Sequence, residues 1–166
     1  MDLLIRRAQP HDAEAIVTIL NPIIEAGRYT VLDAPLTAEF ERQYIRGFSP
    51  RGVFHVAELR QDRGLVGLQS LEPFATYTHA FDHVAVMGTC VALPHQRQGI
   101  GTRLSETTFR TARRTGYEKI FTYVRADNLA SLAFHLKLGF RIVGTAQKQA
   151  RIGGKYVDEI IIEMLL

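Results

Sequence analysis

The hydrophobic positions of the chain change period several times, and each change marks an element. Residues 2 to 7 read as a strand, and Pro10-His11-Asp12 then opens a helix in which Ala13, Ile16, Leu20 and Ile24 keep a near-helical spacing. Asn21-Pro22 is a point of interruption or kinking within it. A second short helix starts at Thr37 and carries Phe40, Tyr44 and Phe48, with Ser49-Pro50-Arg51-Gly52 as its close. Val53 to Leu59 and Leu65 to Leu71 form a hairpin through Gln61-Asp62-Arg63-Gly64, and His83 to Leu93 is a longer strand dense in Val. Thr102 to Thr115 then reads as a helix ended by Gly116, followed by the strand Lys119 to Arg125. Asp127-Asn128 caps a further helix with the apolar stripe Leu129, Leu132, Ala133 and Leu136, and Gly139 is its stop. Two last strands, about Phe140 to Gln147 and Tyr156 to Met164, join through Gly153-Gly154. The order β-α-α-β-β-β-α-β-α-β-β predicts a mixed α/β sheet with helices on both faces.

Composition narrows what such a sheet can serve. With 166 residues, 46% apolar and 22% charged, one globular domain over residues 1 to 166 is expected. No apolar run approaches the roughly 18 residues of a membrane span, and Met1 to Arg7 reads as a strand rather than a signal peptide. The expectation is a soluble, cytoplasmic protein with no membrane partner. The single cysteine, Cys90, excludes an internal disulfide and a cysteine-based metal site, and no metal is expected. The net charge of +3 is small, but arginines gather at Arg97, Arg103, Arg110, Arg113, Arg114 and Arg125. They form either a solvated helix face or a local field for a small polyanion. Nucleic acid is not expected, since the chain has neither an interleaved basic and aromatic motif nor a basic tail.

The stretch from Leu93 to Thr102, LPHQRQGIGT, lies between the Val-rich strand and the helix after it. A glycine-containing turn from strand to helix forms an anion site, because free N–H groups and the positive end of the helix dipole face one point. A nucleotide P-loop needs Gly-Lys followed by Ser or Thr, whereas Gly101 is followed by Thr102-Arg103. The dinucleotide fingerprint needs a third glycine or an alanine where Leu104 stands. What remains is Gln96-x-x-Gly99-x-Gly101, which resembles the pyrophosphate-binding loop of the GNAT superfamily of acetyl-CoA-dependent N-acetyltransferases. Downstream, Asn128-x-x-Ser131-x-x-Phe134-His135-x-x-Leu138-Gly139-Phe140 resembles the second signature of that family. Independently of the resemblance, Asn128, Ser131 and His135 share one helix face, while an N-cap Asn and a surface Ser remain the structural alternative. The segments NPIIEAGRYTVLDAPLT, from Asn21, and GGKYVDEIIIEML, from Gly153, are similar to the phosphinothricin and amino-acid N-acetyltransferase branch.

The resemblance implies a GNAT fold, a twisted mixed sheet in which two central parallel strands splay apart after a bulge and acetyl-CoA enters the gap. Those strands would be His83 to Leu93 and Lys119 to Arg125. It implies a pyrophosphate held by backbone N–H groups of Gln98, Gly99, Ile100, Gly101 and Thr102 and by the Gln96 and Arg97 side chains, with Asn128, Ser131 and His135 along the cofactor. Cys90 and Val91 would offer backbone groups to the pantetheine arm, as an added strand does. Family members are often dimeric, so a homodimer is a further expectation.

Acetyl transfer to an amine also needs a base for the amine, whose free pKa is near 10, and stabilisation of the departing thiolate. Glu72, His79 and His83 are the candidate bases, beside a water chain. Relatives in the phosphinothricin branch carry a Glu close to where Val86 or Met87 stands, a departure that leaves base and substrate open. His135 occupies the place of a family tyrosine and is a candidate proton donor to the thiolate or a structural ring at the groove. Tyr29 and Thr30, with Glu72 and Tyr156, are candidates for the acceptor pocket, although Tyr156 and Asp158 also suit a solvated cross-strand pair. The resulting expectation is transfer of acetyl to the primary amine of a small, amino-acid-like molecule by direct attack in a ternary complex. A protein or peptide acceptor and a non-catalytic acyl-CoA sensor are the alternatives.

Overall fold

The computed structural model describes residues 1–166. Seven strands, β1 (Leu3–Arg7), β2 (Val53–Leu59), β3 (Leu65–Pro73), β4 (Val84–Val91), β5 (Lys119–Arg125), β6 (Arg141–Ile152) and β7 (Lys155–Leu165), form one sheet in the order β1-β2-β3-β4-β5-β7-β6. Every neighbouring pair is antiparallel except β4 and β5. The helices are α1 (Ala13–Glu25), α2 (Ala38–Arg46), α3 (Ile100–Thr115) and α4 (Leu129–Lys137), so the expected element order holds throughout.

Alternation in the strands divides the core in two. Phe54, Val56 and Leu68 pack with Ile16, Leu20 and Ile23 of α1, joined by Tyr44 of α2. Val53, Leu71, Ala85 and Met87 meet Phe109 and Ala112 of α3, with Leu132 and Leu138 packed from the α4 segment. Helix α1 runs through Pro22 to Glu25 rather than stopping there. Asn21 acts instead as a staple, its amide donating to Leu36 O at 3.0 Å and accepting from Leu36 N at 2.9 Å. The helix expected from Thr37 begins at Ala38 with Thr37 as its N-cap and ends at Arg46, before Phe48; Phe40 faces solvent while Tyr44 and Phe48 turn inward. The stripe expected on α4 is also corrected: Leu129, Ala133 and Leu136 are exposed, and the face carrying Ser131, Leu132, His135 and Leu138 turns inward. Helical spacing identifies faces; which face is buried depends on the register of the docked helix.

Only Val84↔Lys119 and Ala85↔Ile120 pair β4 with β5, after which the two strands diverge. The bulge expected before this divergence is absent from the β3–β4 ladder, whose register is unbroken from Gly67↔Val91 to Pro73↔Ala85. A side chain serves at the fork: Thr122 Oγ1 donates to Met87 O at 2.7 Å, in the buried position where a ladder bond would otherwise continue.

Candidate active site

Beyond the divergence, β4 passes through a single 3-10 turn, Leu93–His95, and reaches α3 by Gln96-Arg97-Gln98-Gly99. Gly99 precedes the helix with φ +81°, a left-handed conformation that glycine takes without strain, and a Cβ there would meet nothing within 4 Å. No side chain caps the helix, and its ladder begins with Arg103 N donating to Gly99 O at 3.1 Å. The N–H groups of Ile100, Gly101 and Thr102 are therefore free, at the positive end of a sixteen-residue helix. Gly101 serves a different purpose from the one its motif position implies. A Cβ on it would lie 3.0 Å from the Phe134 ring, so its lack of a side chain lets α3 pack against α4.

This helix start opens onto a cleft of about 360 Å³. Of the expected cofactor residues, Cys90, Val91, Gln96, Arg97, Gly99, Ile100, Gly101, Thr102, Asn128, Ser131 and His135 line it; Gln98 does not. Gln98 is exposed and turns its amide back to Pro94 O at 3.2 Å, and Gln96 tethers the loop to its strand through Val91 O at 3.4 Å. The expected arginine field contracts to Arg97. Arg103 donates to Met1 O and Leu3 O, at 3.1 and 3.2 Å, and Arg110, Arg113 and Arg114 lie exposed on later turns of α3. Arg125 pairs with Asp127 and holds Gly27 O and Thr30 O at 3.1 and 2.9 Å, which fastens the α1–α2 connection over the end of β5. The sequence reading missed Thr89, His95 and Lys137, all of which line the cleft.

The α4 wall is held by its own hydrogen bonds. Asn128 Oδ1 accepts from Ser131 N at 3.1 Å as an N-cap, and its Nδ2 donates to Tyr29 O at 3.2 Å. His135 is 6% exposed, and its Nδ1 lies 2.7 Å from Ser131 O. A carbonyl only accepts, so Nδ1 carries the proton and Nε2 the lone pair. Burial holds the imidazole below its ordinary range, outweighing the Ser131 carbonyl, which favours the charged form. The ring is thus a neutral acceptor at neutral pH, which counts against its use as the proton donor to a thiolate.

Strand alternation also revises the backbone groups expected along the cleft. Met87 O accepts from Thr122 and Val91 O from Gln96, so Met87, Thr89 and Val91 present their backbone towards the gap. Cys90, one residue out of phase, faces β3 with its backbone, opposite Leu68. Burial pushes its thiol up to about 11, so it is no nucleophile.

The catalytic candidates separate in the same way. His83 is exposed where β4 still pairs with β5, and its carbonyl receives Glu118 N and Lys119 N; His79 is exposed and bound to Asp82 at 3.0 Å. Neither lines the cleft. Glu72 does not line the cleft either; it stands on β3 opposite Val86, the first β4 residue beyond the last pair with β5, and accepts a hydrogen bond from Tyr44 Oη. Burial first, and that carboxylate second, hold the Tyr44 phenol far above its ordinary range, so it is a donor. Among the acceptor candidates Tyr29 lines the cleft, while Thr30 uses its carbonyl for Arg125 and its hydroxyl for Leu32 N at 3.1 Å. Tyr156 lies outside the cleft, 58% exposed with Lys148 and Arg151 over its ring, and Asp158 accepts from Lys148 N in the irregular part of the β6–β7 hairpin.

Comparison with known proteins agrees with this geometry. The model of the acetyltransferase (GNAT) family matches residues 14–140. A Bacillus subtilis (strain 168) protein, YwnH, provisionally named a phosphinothricin acetyltransferase, is 25% identical over 156 residues, 94% of each chain. Among solved structures, a ribosomal-protein-alanine N-acetyltransferase from Brucella melitensis superposes with a TM-score of 0.85 at 25% identity, covering 98% of this chain and 99% of its own. A phosphinothricin acetyltransferase from Sinorhizobium meliloti, solved with acetyl-CoA, reaches 0.90 at 18% identity over 100% of this chain and 89% of its own. The free N–H groups, the open left-handed glycine and the strand edge exposed beyond Ala85 fit a pyrophosphate followed by an amide-bearing arm. The chain belongs to the acetyltransferase (GNAT) family and is an acetyl-CoA-dependent N-acetyltransferase.

Proposed function

We propose that the protein acetylates the primary amine of a small, amino-acid-like molecule by direct attack in a ternary complex, with Glu72 as the general base. The observation that carries the donor half is the uncapped start of α3, whose free N–H groups open onto the gap between β4 and β5. Acetyl-CoA supplies a thioester, an activated acyl group with a thiol leaving group. The chain contributes the N–H groups of Ile100, Gly101 and Thr102 and the Arg97 guanidinium for the pyrophosphate, and the Thr89 and Val91 backbone for the arm. For the acceptor half, relatives with a carboxylate near Val86 supply the logic. Glu72 is directly cross-strand from Val86, so its side chain emerges on the same face roughly 5 Å away. A carboxylate missing from β4 is thereby provided from β3, and Tyr44 Oη fixes its orientation. Glu72 takes one proton of the ammonium, the freed nitrogen attacks the thioester carbonyl, the carbon–sulfur bond breaks, and the second amine proton passes to the departing sulfur as the amide forms.

The amino-acid-like acceptor is supported by the likeness to YwnH. The likeness to the ribosomal-protein-alanine enzyme favours a peptide N-terminus as the second reading. One experiment covers both: purified protein with acetyl-CoA and a panel of amino acids, polyamines, aminoglycosides and peptides, following free thiol. Turnover on amino acids supports the proposal, and turnover on peptides alone transfers it to the second reading. CoA binding with no turnover on any of these amines removes both acceptor readings. Glu72→Gln should lower kcat about a hundredfold, the low end for a positioned base, with CoA affinity unchanged. An unaltered kcat removes Glu72 from the role.

A further inference from the structure

Gln69 of β3 is fully buried beneath the cleft. Its Nε2 lies 2.8 Å from Thr89 Oγ1 and 2.9 Å from Ser105 Oγ, and its Oε1 has no partner. The direction of this chain of bonds follows from its far end. Ser105 Oγ is 2.9 Å from Gly101 O, which can only accept, so the Ser105 proton goes to Gly101. Ser105 must then accept from Gln69, which fixes the amide with its nitrogen towards both hydroxyls. Reversing the amide would bury two N–H groups without acceptors instead of one oxygen without a donor, a greater loss. Thr89 therefore also accepts from Gln69, and its own proton has no acceptor within the protein.

Thr89 lines the cleft, and so does His135, whose Nε2 lone pair has no partner either. One side chain from β4 offers a free donor, and one from α4 a free acceptor. We propose that the Thr89 hydroxyl and His135 Nε2 are the side-chain recognition pair for the amide-bearing arm of the cofactor, Thr89 donating to an arm carbonyl and His135 accepting from an arm N–H. Gln69 and Ser105 are the positioning residues that keep the Thr89 proton directed away from the core. The inference rests on the acetyl-CoA reading of the cleft and goes beyond it, because the strand backbone and the helix start alone cannot distinguish the arm from any other extended chain. The chain also links the arm to the pyrophosphate site, since Gly101 belongs to the first turn of α3.

The test compares two ligands by titration calorimetry: CoA, and ADP bearing CoA's 3′-phosphate, which keeps the pyrophosphate and lacks the arm. Thr89→Val should weaken CoA about tenfold, the loss expected when a carbonyl is left without its donor. The nucleotide should bind as it does to the wild type, and Thr89→Ser should restore CoA affinity. His135→Phe should weaken CoA to a similar degree with the nucleotide unchanged. Because Gln69 acts through Thr89, Gln69→Met should weaken CoA alone but add nothing in the Thr89→Val background. Unchanged CoA affinity in Thr89→Val, equal loss of both ligands, or additive effects of Gln69 and Thr89 would each overturn the proposal. A wild-type chain that binds neither ligand overturns the acetyl-CoA reading itself, and this inference with it.

Discussion

Two helices begin at the same cleft, and their first turns are built in opposite ways. Helix α3 starts at Gly99, which has no side chain to cap it, and leaves three N–H groups facing open space. Helix α4 starts at Asn128, which closes its own first turn through Ser131 N and reaches across to Tyr29 O. The first is therefore an anion site and the second a wall. The choice lies in the N-cap: a glycine leaves the dipole and donors for a ligand, while an asparagine uses them within the fold. Both residues occur in motifs that resemble cofactor signatures, and only one of them has donors to give.

The comparison is most severely tested by putting a carboxylate on the open helix. Gly99→Glu introduces a negative charge where the pyrophosphate would lie, and two unit charges 4 Å apart repel by about 4 kcal/mol at an effective dielectric of 20. CoA affinity should fall by roughly a hundredfold or more, read by calorimetry. The left-handed backbone adds about 1 kcal/mol of strain to the folded state, so the melting point should fall slightly. Gly99→Ala carries the strain without the charge and should keep most of the affinity; equal loss in both variants would mean that φ, not the anion, requires the glycine. A smaller effect is expected at the closed helix. Asn128→Ala removes the cap and the Tyr29 bond and should cost about 1 kcal/mol of stability, with CoA weakened less than severalfold. A loss of CoA affinity comparable to Gly99→Glu would make Asn128 a ligand residue and remove the contrast.

How far this contrast was legible in the sequence depends on the range of the interactions behind it. The strand-turn-helix around Gly99, the order of all elements and the Asn128 cap are local, fixed by residues within one turn of each other, and each was readable. Phe40 and the Leu129, Ala133 and Leu136 stripe were misread because spacing defines a helical face but not its docking. The Glu72 and Val86 rung and the switch from Cys90 to Thr89 depend on strand register, which arises from pairing residues more than ten positions apart. The arginines misled most: Arg103 adjoins the loop in sequence and Arg125 ends the strand after the next helix, yet the backbone carbonyls they bind belong to β1 and the α1–α2 connection.

The smallest predicted effect concerns protonation of the α4 wall. Burial lowers the folded-state pKa of His135, and that of His55, where Arg7 adds to the shift, below the ordinary value of 6.5. The unfolded chain therefore binds more protons than the folded one at mildly acid pH. The stability tied to keeping these rings neutral is fully present above pH 6.5 and is lost as pH falls through the lower folded-state values. His55 shares a buried bond with Thr108 at 3.0 Å, away from the cleft, so the two contributions can be separated. Melting points measured between pH 8 and pH 5 should be level at the upper end and decline below about 6.5. His135→Gln should make the decline shallower, and a saturating cofactor should steepen it, because a ligand that uses the Nε2 lone pair binds only the neutral ring. A decline that His135→Gln leaves unchanged would place the titration at His55 and show α4 to be as inert to protons as its closed cap is to anions.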